Sequence, residues 1–134
     1  MPAILLIGED AFLLETRAAV LRRTGAAMVC AEVSSALPLL ETNSFDVAIL
    51  CHSIPGPVCQ TLIDVIRQNW PSTRILLVSP ARNWEQTERA EGVELCTPHP
   101  EQLIERTIEL IGRRTVAAVR PILLNQVAGQ IARG

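Results

Sequence analysis

The sequence predicts an α/β fold, a parallel sheet covered by helices on both faces. Short apolar runs of strand length, Ala3–Ile7 (AILLI), Phe45–Leu50 (FDVAIL) and Arg74–Ser79 (RILLVS), recur along the chain with helix-period segments between them. Runs that are apolar at nearly every position, instead of alternating, belong to strands buried on both sides. A length of 134 residues with 49% hydrophobic composition suits one domain with a substantial core. With two Phe, two Trp and no Tyr, that core must be aliphatic.

Ala3–Ile7 is the first strand and is ended by Gly8, Glu9 and Asp10. A helix over about Phe12–Arg23 follows, with Leu14, Ala18 and Leu21 on one face. Arg22 and Arg23 in its last turn and Gly25 just beyond are C-terminal signals. Ala27–Val33 reads as the second strand, after which Ser34 and Ser35 are expected to cap a short helix with Pro38 near its start. Phe45–Leu50 is the third strand, and Pro57–Asn69 the next helix, with Val58, Leu62, Val65 and Ile66 apolar. Arg74–Ser79 is the fourth strand. A polar helix is expected over Trp84–Glu91, then a short fifth strand, Val93–Cys96. Pro100 to about Arg113 closes the pattern as an amphipathic helix with Leu103, Ile104, Thr107, Ile108 and Ile111 inward. The domain is thus expected to span 1–114. Residues 115–134, where Pro121 and Gly129 interrupt an apolar pattern, read as a tail, either an extra helix or partly disordered.

Composition narrows the function classes. Twelve basic and fourteen acidic residues without a long run of either offer no footprint for nucleic acid or an anionic membrane. Ile4–Ile7 is too short for a membrane span or a secretory leader, so the expected location is cytoplasmic. The four cysteines (Cys30, Cys51, Cys59, Cys96) form no CxxC pair, and reduced thiols are expected, with Cys30, Cys59 and Cys96 as core packing.

The polar residues at the strand ends carry the functional signal, since open α/β sheets place their chemistry at that edge. The acidic pair Glu9-Asp10 ends the first strand, "FDVAILCHSIPG" surrounds the end of the third, Ser79 ends the fourth, and "PHP" (98–100) follows the fifth. In order and spacing these resemble the receiver domain of bacterial response regulators, over about Ala3–Arg113. The resemblance implies a three-layer, (βα)5 flavodoxin-like domain with strand order 2-1-3-4-5. It places Glu9 and Asp10 where the family holds Mg2+, Cys51 at the phosphoacceptor aspartate, Ser79 at the switch Ser/Thr, and His99 at a lysine that is often followed by a cis-proline.

The departures change the chemistry. Phosphoryl transfer in the family needs a carboxylate nucleophile, Mg2+ and a lysine against the phosphoryl oxygens. A Cys51 thiol cannot form an acyl phosphate and is a poor Mg2+ ligand. Glu9 and Asp10 alone should bind Mg2+ only weakly, so no cofactor is expected, and Asp10 also suits a helix N-cap. His99 is shorter than lysine and mostly neutral at pH 7. His52, one residue past Cys51, should look away from the acidic pair. Cys51 itself has three readings: a buried filler, a redox thiol, or a zinc site with His99 and one of Glu9 or Asp10.

With no DNA-binding or enzymatic output segment recognisable, the expectation is a non-enzymatic, stand-alone pseudo-receiver in two-component signalling. It would act by phosphorylation-independent interaction with an unidentified signalling protein. The resemblance puts the contact surface on Trp84, Glu88 and the outer side of Gln102–Glu109, with self-association supported by the tail. The alternative is a thiol- or zinc-responsive sensor using Cys51. A small-molecule site at the strand ends has no glycine-rich loop to support it, because Gly8 stands alone.

Overall fold

Residues 2–79 and 93–112 are described by a computed structural model of the chain. They form a five-stranded parallel sheet with the order β2-β1-β3-β4-β5. The strands are β1 (Ala3–Ile7), β2 (Ala27–Ala31), β3 (Val47–Cys51), β4 (Arg74–Val78) and β5 (Val93–Cys96). The helices are α1 (Ala11–Leu21), α2 (Val33–Thr42), α3 (Gly56–Asn69) and α4 (residues 100–112). This is the flavodoxin-like arrangement that the resemblance implied.

Strand alternation divides the core in two. Leu5, Ile7, Ala48 and Leu50 meet Ala36 and Leu40 of α2 and Leu62, Ile63 and Ile66 of α3. On the other face Ile4, Leu6, Val47, Ile49 and Cys51 meet Leu14, Ala18 and Leu21 of α1 and Leu103 and Leu110 of α4. Every residue of β3 is buried, whereas β2, at the edge, is mostly exposed. Gly25 ends the 3-10 turn after α1 at φ 83°, the left-handed conformation that glycine adopts without steric cost. Asp10 caps α1, accepting from Phe12 and Leu13 N–H at 3.0 and 3.2 Å.

Several sequence expectations are corrected. Strand β2 stops at Ala31, and α2 begins at Val33 instead of after a Ser34–Ser35 cap. The side chain of its N-cap, Glu32, makes no capping bond; Val33 N–H donates to Glu9 Oε2 at 2.8 Å, so a neighbouring loop supplies the cap. That early start leaves Pro38 inside the helix, where its missing N–H deprives the Ser34 carbonyl of its usual donor. On α4 the buried stripe is Leu103, Thr107 and Leu110, and Ile108, beside that stripe, is 51% exposed. Cys30 is exposed: its strand lies at the sheet edge, where it opens onto a groove lined by Leu14, Glu15 and Ala18 of α1. The described peptide bonds include no cis bond, so His99–Pro100 is trans. The helix expected over Trp84–Glu91 and the tail from Thr115 lie outside the described residues.

Candidate functional site at the ends of the strands

Parallel strands point all their C-terminal ends to one edge, and the register fixes which ends are neighbours. Cys51 pairs with Val78, and Val78 with Cys96. Glu9 and Asp10 follow β1, Ser79 follows β4, and His99 follows β5, so these four and Cys51 all fall at this edge. Their exposure differs sharply. Glu9, Asp10 and His99 are exposed, Ser79 is half-buried, and Cys51 is 1% exposed.

The two acids serve as helix caps. Asp10 Oδ1 takes two N–H groups of α1, and Glu9 Oε2 takes the first N–H of α2. Glu9 N–H in turn donates to Ser53 Oγ at 2.9 Å, tying the end of β1 to the turn after β3. In that turn Ile54 N–H donates to the Cys51 carbonyl at 3.1 Å. His52 therefore lies beyond the strand, where alternation no longer sets its direction. Its pKa is lowered by partial burial and by Arg17, against an opposing effect of Asp10, so it stays within electrostatic reach of the acidic loop.

The sequence reading passed over Arg17. This α1 residue is 6% exposed, and its Nη1 is buried without a hydrogen-bond partner. Its guanidinium lies against Cys51. Burial raises that thiol's pKa, and the hydrogen bond and charge of Arg17 only partly oppose the rise. Burial also raises the Cys96 thiol, opposed by the charges of Arg106 and, after it, Arg17. The tip thus holds a neutral thiol over a buried cation.

These donors do not fit a divalent cation. Mg2+ requires hard oxygen ligands, and here one candidate is a thiol while the acidic pair faces helix N-termini. Among the described residues, no three His, Cys, Asp or Glu side chains are gathered to hold a metal ion, which applies equally to Cys51 with His99 and an acid.

A pH dependence follows. Burial raises the thiols of Cys51, Cys59 and Cys96 above their ordinary value, at which the unfolded chain ionises. Between the two the unfolded state holds fewer protons, so the stability present below the unfolded pKa is lost as pH rises toward the folded values. Denaturant midpoints should be level to about pH 8 and fall above it, less steeply in Cys51→Ala; a profile flat to about pH 10 would contradict this.

No family model matches the chain, nor does any curated protein sequence. Solved structures do match. The receiver domain of a Francisella response regulator superposes with a TM-score of 0.72 at 21% identity, covering 84% of this chain and 98% of that one. A chemotaxis response regulator of Vibrio cholerae gives 0.71 at 19% identity, covering 82% and 98%. The signal receiver domain of an HD domain-containing protein from Pseudomonas fluorescens gives 0.74 at 22% identity, covering 89% and 93%. The chain therefore has the fold of the receiver domains. Among its described residues, no helix is long and apolar enough to cross a membrane.

Proposed function

We propose that this chain is a pseudo-receiver, a non-enzymatic signalling domain that works by binding a protein partner without being phosphorylated. The observation that carries the reading is the buried thiol of Cys51 at the end of β3, where the resemblance places a phosphoacceptor. A thiol cannot become an acyl phosphate, and the acidic residues nearest in the fold are committed to helix caps. The fold supplies the signalling context, since receiver domains are its neighbours in structure.

The outer side of α4 suits a polar contact surface. Gln102, Glu105, Arg106 and Glu109 line a shallow depression there, and Arg106 pairs with Glu94 at 3.3 Å and Glu109 at 3.5 Å. Exposed Ile108 adds an apolar contact on the same helix. Trp84 and Glu88, assigned to this surface from the sequence, lie outside the described residues. The alternative of a thiol- or zinc-responsive sensor is less well supported, because burial disfavours the thiolate that such chemistry needs.

The test is incubation with a small acyl-phosphate donor and Mg2+, read by intact mass. The expected result is an unchanged mass, and stable addition of one phosphoryl group per chain would overturn the proposal. Thiol titration of the native protein separates the sensor reading, which requires a fast Cys51.

A further inference from the structure

We propose that Arg17 is the resident cation of the strand-end site, occupying electrostatically the role of a divalent metal ion and excluding one. Restoring an acid at position 51 would then not by itself restore a metal site.

Three observations converge. Arg17 is 6% exposed with a buried, unpartnered Nη1, so its charge is not solvated away, and among the described residues no carboxylate forms a salt bridge with it. Arg17 shares the buried face of α1 with Leu14 and Ala18, which pack in one cluster with Cys51 at the end of β3 and Cys96 at the end of β5, and its charge bears on both thiols and on His52 in the turn. Glu9 and Asp10, the acids that would attract a metal, direct oxygens to Val33, Phe12 and Leu13 N–H instead. A guanidinium in a low-dielectric interior repels a second cation more strongly than it would in water. Its Nη1 has no acceptor, so an aspartate at position 51 would meet it as an ion-pair partner before meeting a metal. Arg17 and Cys51 are consequently matched: the neutral thiol tolerates the cation, and the cation removes the need for a metal.

The experiment compares Mn2+ uptake by wild type, Cys51→Asp, Arg17→Met and the double variant, following the spectrum of free Mn2+. Wild type and both single variants should leave the free-ion signal unchanged. The double variant should take up one equivalent, at least about tenfold more tightly than Cys51→Asp. A second readout is the melting temperature. Cys51→Asp should be more stable with Arg17 present than with Met at that position, because the new carboxylate pairs with the guanidinium. Arg17→Gln replaces Arg17→Met if the latter fails to fold. Mn2+ binding by Cys51→Asp alone, or a double variant that binds no better, overturns the inference. Either result would leave the partner-binding proposal standing, because that concerns the unlabelled wild-type protein.

Discussion

Replacing Leu6 with Ala is expected to lower the unfolding free energy by about 2–5 kcal/mol. Leu6 is 0% exposed at the centre of the sheet, beside Cys30 on β2 and Ile49 on β3. Its side chain belongs to the cluster that includes Leu14, Ala18, Ile49 and Cys51. Strands on both sides fix the backbone there, so the cavity cannot collapse and most of the lost contact is felt as lost stability. A domain of this size has only about 5–15 kcal/mol in total, so the variant should unfold at markedly lower urea. Val29→Ala is the control: Val29 is 36% exposed on the edge strand and should change stability by less than about 1 kcal/mol. A loss for Leu6→Ala as small as that of the control would contradict the assignment of this layer to the core.

The strands were legible because their burial on both faces is written as uninterrupted apolar runs. Ala3–Ile7 and Val93–Cys96 match the predicted bounds, and β3, expected over Phe45–Leu50, starts two residues later and ends one later, at Val47–Cys51. The helix start after β2 was not legible. Its cap comes from Glu9, 24 positions earlier, and becomes available only when Gly8 N–H bonds the Ala31 carbonyl and sets the two loops side by side. Such a cap depends on which strands are neighbours, so serines close in sequence were the better local candidates and still lost.

Arg17 is the opposite case, since its position was readable. Leu14, Arg17, Ala18 and Leu21 follow the spacing of one helix face, and all four are buried. The general tendency of arginine to lie exposed outweighed the periodicity that placed it inside. The residues collected at the sheet edge were found through their resemblance to a receiver domain, and the Asp10 cap of α1 was readable from its place just before that helix. The Glu9 cap of α2 was not, because it depends on loop geometry that no spacing encodes.

The close approach of backbone at Gly8 carries the last expectation. A Cβ built there would lie 3.2 Å from Leu14 Cδ2, 3.3 Å from Cys51 Cβ and 3.3 Å from Ser53 Oγ. Leucine's terminal methyl can rotate aside, but the Cys51 Cβ is fixed to the backbone of a strand paired on both sides. Gly8→Ala should therefore be mildly destabilising, and Gly8→Val, with two further methyl groups, should cost about 1–3 kcal/mol. The relief of that overlap would push the Ser53 hydroxyl away from Glu9 N–H and loosen the turn over Cys51. Gly8→Val should then show a faster reaction of Cys51 with a small thiol reagent under native conditions, a change that general destabilisation of equal size, introduced on α3, would not reproduce. Wild-type stability together with an unchanged thiol rate would mean that the tip has room to spare. The approaches of 3.2 and 3.3 Å at Gly8 argue against that, because they leave a Cβ little room unless its neighbours shift.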